Sequence, residues 1–134
     1  MQSNEDSGKL VLRATLGILV LFHGVAKLIG GVDPIMGMLA KAGLPTSLAF
    51  LVYVGEVIAP LMVLFGIWTR LGAVIIAINM IVAVALAHGS QLFTISKTGG
   101  WAPELQAFYF FTALAIALLG AGRYSMGGAS GKWN

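Results

Sequence analysis

Four apolar stretches, each close to twenty residues long, govern what this chain can become. They run over 10–29 (LVLRATLGILVLFHGVAKLI), 47–67, 71–88 (LGAVIIAINMIVAVALAH) and 103–122 (PELQAFYFFTALAIALLGAG). About twenty apolar residues in a helix cross the ~30 Å of hydrocarbon in a bilayer. Backbone polar groups in lipid must be satisfied internally, which leaves helices or a closed barrel. None of the stretches alternates as a barrel strand does. Only 10% of the 134 residues are charged while 58% are hydrophobic. A soluble domain carries about a quarter of its residues as charges, so water is the wrong solvent for this surface. The expectation is an all-α, four-transmembrane-helix bundle over 9–127, with polar tails at 1–8 and 128–134.

A cleaved leader is the rival reading of the first stretch. Arg13, His23 and Lys27 interrupt it, and GVAKL is a poor cleavage site. Lys and Arg near the helix ends set orientation. Lys9, Arg13, Arg70, Arg123 and Lys132 collect on one side; Lys27, Lys41 and Lys97 collect on the other. Both termini are therefore expected in the cytoplasm. Trp68 and Tyr124 then lie at the inner interface and Trp101 at the outer one. Between the first two spans, Asp33 can cap a helix, Pro34 suits its first turn and Gly43 can end it. A short interfacial helix is expected there. Arg13 and Arg70 each open an odd-numbered span, and FGIWTR echoes LGAGR, a pattern that suggests a duplicated helix pair.

Within the stretch LVYVGEVIAPLMVLFG, residues 51–66, stand Glu56 and Pro60. Proline has no N–H, so the Glu56 carbonyl loses its α-helical donor and the helix is expected to kink there, freeing an acceptor beside an acid. Ionisable groups at this depth are costly and face inward toward partners. At 1.5 Å per residue, Glu56 and Asn79 lie near the midplane and His23 about 5 Å outward. By depth His23 is the nearest partner for Glu56, Asn79 offers a neutral hydrogen bond, and Lys27, one turn above His23, can reach down its stem. His88, Glu104 and Gln106 form an outer polar layer with Lys27, expected to meet near the 30–46 connection. The functional reading is a binding or proton-handling site; the bland one is a polar clamp between helices.

Other chemistries find little support. With no cysteine, disulfides, thiolate metal sites and iron–sulfur clusters are excluded. His23 and His88 differ by roughly 10 Å in depth, a poor pair of haem ligands. His88 and Glu104 alone do not make a metal site. The net charge of +3 has no clustered basic face for nucleic acid.

The pieces RATLGILVLFHGVAKLIGG, AGLP, GEVIAPLMVLFGIWTRLGA and GGWAPELQAFYFFTALAIALLGAGRYS together resemble the DoxX family, from about Arg13 to Gly127. The resemblance implies a four-helix protein of the bacterial inner membrane. Some relatives are subunits of thiosulfate:quinone oxidoreductase, and others associate with membrane oxidoreductase or stress-defence systems. Arg13, His23, Lys27, Glu56, Pro60 and Arg70 match its recurring polar positions. No catalytic residue carries over. The expectation is a non-catalytic subunit, without an intrinsic cofactor, that works beside a redox partner or as a homo-oligomer. His23, Lys27, Glu56, Asn79 and Tyr109 would hold a quinone or lipid. A purely structural accessory subunit and a small oligomeric transporter are the alternatives.

Overall fold

A computed structural model describes residues 2–134 of the chain. The first helix, α1, spans Gln2–Gly30, and α2 spans Asp33–Lys41. A composite helix follows, with a 3₁₀ segment at Thr46–Leu51, a π segment at Val54–Ile58 and α3 at Ala59–Phe65. Next come α4 (Thr69–Ala87), a 3₁₀ turn (Gly89–Gln91) and α5 (Glu104–Leu119). The described residues form no strand; one bridge, Ile95 to Trp101, closes a small hairpin. Three segments are long and apolar enough to cross a membrane: α1, the composite helix Thr46–Phe65 and α4. With 16 residues, α5 reaches about 24 Å.

The bundle core holds Leu16 and Val20 from α1, Ala59 and Val63 from the composite helix, Ala73, Ile76, Ala77 and Met80 from α4, and Tyr109, Ala113 and Ile116 from α5. Small side chains let helix backbones approach, as membrane bundles require. A second cluster of Val32, Leu39, Ala49 and Val52 pins α2 over the start of the composite helix. Gly43, at φ +75°, ends α2 as expected, with Leu44 N–H returning to the Leu39 carbonyl at 2.9 Å. Asp33 lies inside the first turn, and its side chain makes no cap.

The polar tail expected at 1–8 is different in the structure. Residue 1 lies outside the described residues, and Gln2–Gly8 continue α1. Helix is sustained there because Asp6 is buried and accepts the Arg123 N–H at 3.2 Å. The segment 128–134 is likewise docked. Trp133 accepts from Arg70 N–H at 2.7 Å, and the Asn134 carboxamide oxygen caps Thr69 N–H at 3.1 Å.

Two arginines finish the helix ends on this side. Arg13, only 1% exposed, donates to the carbonyls of Val63 (3.0 Å), Leu64 (3.2 Å), Ala121 and Tyr124 (both 2.9 Å). The first two are end carbonyls of α3, which have no helical donor. A cation there also meets the negative end of the helix dipole. Arg70 repeats the arrangement on α5, donating to Ala117 and Leu118 at 3.0 Å. Each helix then breaks at a positive-φ glycine beside its arginine, Gly66 and Gly120. The arginine echo in the sequence thus marks one local arrangement used twice.

Each orphaned buried acceptor costs about 1–3 kcal/mol. Arg13→Met should therefore destabilise the protein by about 3 kcal/mol or more, read as a lower thermal midpoint in detergent. Arg70→Met, which frees fewer carbonyls on a less buried residue, should cost markedly less.

Candidate functional site

Helical period sets the site's outer wall. Arg13, Gly17, Val20, Gly24 and Lys27 follow one another at three- and four-residue steps, so they share a face of α1. That face meets the composite helix. A Cβ at Gly17 would stand 3.0 Å from the Pro60 carbonyl oxygen. A Cβ at Gly24 would overlap the Glu56 carbonyl. The carbonyl that Pro60 deprives of its donor is therefore packed against α1 and is not open to a ligand, contrary to the sequence expectation. Ahead of Pro60 the helix runs as a π segment, in which Ala59 N–H bonds back to the Val54 carbonyl. One residue more per turn rotates Glu56 into the bundle, where it is buried.

There the carboxylate has two partners. Lys27 Nζ lies 2.5 Å from Oε1, and Asn79 Nδ2 donates to Oε2 at 2.9 Å. Gly55 makes room for Asn79, since a Cβ would come within 2.6 Å of its carboxamide. Tyr53 Oη donates to the Lys27 carbonyl at 3.2 Å. Three spans thus converge on one acid, and the acid and lysine neutralise one another in an apolar layer, as buried ionisable groups in lipid do. Lys27, rather than the expected His23, is the ionic partner. His23 turns its ring edge-on to Tyr109, with centroids 6.0 Å apart, and is exposed.

These groups border a cavity of about 100 Å³, lined by His23, Lys27, Glu56, Met80, Gln106 and Tyr109 among others. Of its lining residues, His23 on α1 and Leu105 on α5 are exposed. Gln106 links it outward: Gln106 Nε2 is 3.3 Å from His88 Nε2, and His88 Nδ1 is 2.8 Å from Gln91 Oε1. A single neutral tautomer, with Nδ1 protonated, satisfies both contacts. Of the expected outer layer, Glu104 stands apart, with its carboxylate against Gly100. Among the described residues, no three His, Asp or Glu side chains are grouped to hold a metal. Asn79 was legible from depth, and Lys27 only from the reach of its stem; the seats provided by Gly24 and Gly55 were not, because a glycine's role depends on what faces it.

This fold and site define a multi-pass helical membrane protein with an ion-paired polar layer in its core. The chain belongs to the DoxX family, whose model matches residues 8–89. It is also 31% identical over 121 residues to a Bacillus subtilis (strain 168) protein named "Putative oxidoreductase CatD", covering 90% of this chain and 85% of that one. No solved structure matches it.

Lys27→Met and Glu56→Gln each leave one charge unanswered, and breaking such a pair costs about 3–5 kcal/mol when fully buried. Lys27 keeps 27% side-chain exposure, so about 2 kcal/mol is expected for each single change. The double variant Lys27→Met/Glu56→Gln should be more stable than the sum of the two losses predicts, measured as a double-mutant cycle on thermal midpoints. Gly24→Ala should destabilise by about 1–3 kcal/mol or more, as overpacking does. Gly8→Ala, at a helical glycine with open space around it, should be neutral or mildly stabilising in the same assay.

Proposed function

We propose that this protein is a membrane subunit of a redox assembly in the bacterial inner membrane, with α5 as a fourth span and both termini cytoplasmic. In this reading its polar slot receives the head of a quinone or similar lipid-like ligand. The observation that carries the reading is the slot itself: a neutralised Lys27–Glu56 pair, with Asn79, Gln106 and Tyr109, opening sideways at exposed His23 between α1 and α5. A molecule dissolved in hydrocarbon would reach such a mouth without crossing water. Family membership and the name borne by the Bacillus subtilis relative agree with a redox setting. With no cysteine in the chain, electrons would come from a partner or a bound group.

The slot's size limits what can enter. Pockets that enclose a drug-sized ligand measure roughly 300–1,000 Å³, and this one holds about 100 Å³. It suits one ring oxygen and a few waters, with the ring at the mouth beside His23 and Tyr109. Their edge-to-face contact leaves the histidine as a donor or acceptor there.

The structural alternative has its own support. Lys27 and Asn79 take up both oxygens of Glu56, which ties α1, the composite helix and α4 together with no ligand at all. A transporter gains less support, because the Arg13 network and the docked tail fill the end where a conduit would continue.

His23→Ala separates the readings, since an exposed mouth residue should not disturb the clamp. Wild type purified in mild detergent should carry quinone well above its proportion in the bulk membrane lipid, and His23→Ala should lose most of that enrichment at unchanged thermal midpoint. Quinone at the bulk proportion in wild type would remove the ligand reading and leave the clamp.

A further inference from the structure

The connection between α4 and α5 is an ordered hairpin with an unusual surface. Phe93 is 99% exposed, Ile95 73% and Trp101 43%, and Leu92 is also exposed. Between the two arms lies a polar tip, Ser96-Lys97-Thr98-Gly99-Gly100. The hairpin is not held by burial of these side chains. It is held by its own hydrogen bonds: Ser96 N–H to Gly100 O at 2.6 Å, Ala102 N–H to Thr94 O at 3.1 Å, Gly99 N–H to Ser96 O at 3.0 Å, and the Trp101 indole N–H to Leu92 O at 2.6 Å. Thr94 Oγ1 donates to Gln91 O at 2.9 Å, and the Ser96 and Thr98 hydroxyls pair at 3.0 Å.

The helix it leads into is short. At 16 residues, α5 reaches about 24 Å, several ångströms less than the ~30 Å hydrocarbon layer. A short span is accommodated by thinning the bilayer or by flanking residues that fill the deficit. The exposed apolar row of α5 (Leu118, Phe111, Phe108, Leu105) runs up to this end, and the hairpin's apolar base continues it. Non-helical backbone is costly in lipid because its polar groups go unsatisfied; the internal bonds answer this at Thr94, Ser96, Gly99 and Ala102 N–H, and the remaining backbone groups call for a place at the glycerol and headgroup level rather than deeper. Indole rings favour the headgroup level, and a lysine at the tip can reach lipid phosphate.

We infer that the hairpin 92–102 is a lipid-immersed cap that completes the short α5 span, with Leu92, Phe93, Ile95 and Trp101 in the acyl and glycerol region and Lys97 among the headgroups. The inference rests on α5 crossing the membrane, as proposed above. Its occupant is membrane lipid, because the patch leads in the chain directly into the exposed row of α5 and ends in a cationic polar tip rather than a second apolar face.

The chain has no cysteine, so single-cysteine variants can carry a nitroxide without further change. Phe93→Cys, Ile95→Cys and Lys97→Cys, spin-labelled in the full-length protein, would be reconstituted in phosphatidylethanolamine/phosphatidylglycerol vesicles. Labels at 93 and 95 should collide with oxygen several-fold more than with a water-soluble nickel chelate, and the label at 97 should show the opposite preference. High nickel accessibility at 93 and 95 would place the hairpin in water and overturn the inference. Low accessibility to both reagents would mean that a second copy covers it, which overturns it equally. A label at Phe111→Cys, midway along α5, reports separately on the span: lipid exposure there with a wet hairpin sinks the cap alone, whereas a wet Phe111→Cys label sinks the four-span reading.

Discussion

A carboxylate inside an apolar bundle has to be answered by the protein, and much of this structure follows from answering Glu56. An isolated charge in hydrocarbon costs several kcal/mol. Lys27 supplies the opposite charge at 2.5 Å and Asn79 a neutral donor at 2.9 Å. Neither could reach without close helix approach, and two glycines provide it. Gly24 lets α1 rest on the Glu56 backbone, and Gly55 admits the Asn79 side chain. The π segment at Val54–Ile58 and Pro60 behind it aim the acid inward. A change at any of these positions therefore acts on the same acid, and their effects should be coupled rather than additive.

The two ends of the bundle are built differently. At one end, positive charge is spent on backbone: Arg13 meets four carbonyls, Arg70 meets two, and the chain after α5 closes over them. This end is filled by the guanidinium contacts and the docked tail. At the other, polar side chains bond to one another through Gln106, His88 and Gln91, beside the cavity. On the proposed reading this asymmetry favours ligand access at the α1–α5 seam, with the filled end closed to a passage.

Helical period, span length and the inward need of an ionisable group were all legible in the sequence. They place the composite helix, α4 and the far end of α1 within a few residues, and they put Glu56 and Asn79 at one depth. What was not legible depended on side-chain reach or on partners distant in sequence. Depth alone favoured His23 over Lys27 for Glu56, yet a lysine stem spans a full helical turn and its head prefers an acid to lipid. Gln2–Gly8 looked like a tail because its residues are polar; it is helical because Asp6 finds Arg123 N–H, 117 positions away. Asn134 looked equally idle and caps Thr69. The echo between Arg13 and Arg70 was visible as spacing, but its meaning, a guanidinium on helix-end carbonyls, needed the chain folded.

The balance between clamp and pocket turns on one physical point. Once Lys27 and Asn79 engage both Glu56 oxygens, the pair has little reason to seek a ligand, and a site made only of that pair would be inert. The cavity adds groups the clamp does not use. His23 is exposed, and among the described residues its ring meets that of Tyr109 in a T-shaped pair and makes no hydrogen bond. Gln106 faces the cavity while bonding outward to His88. If the α1–α5 seam faces lipid, as proposed, a clamp gains nothing from a histidine there, where an unpaired imidazole costs free energy. A hydrogen-bonding head group of the proposed ligand would remove that cost. The same desolvation that forces Glu56 to find partners would, at a lipid-facing seam, leave His23 without one, and the proposed ligand at the α1–α5 seam rests on this feature.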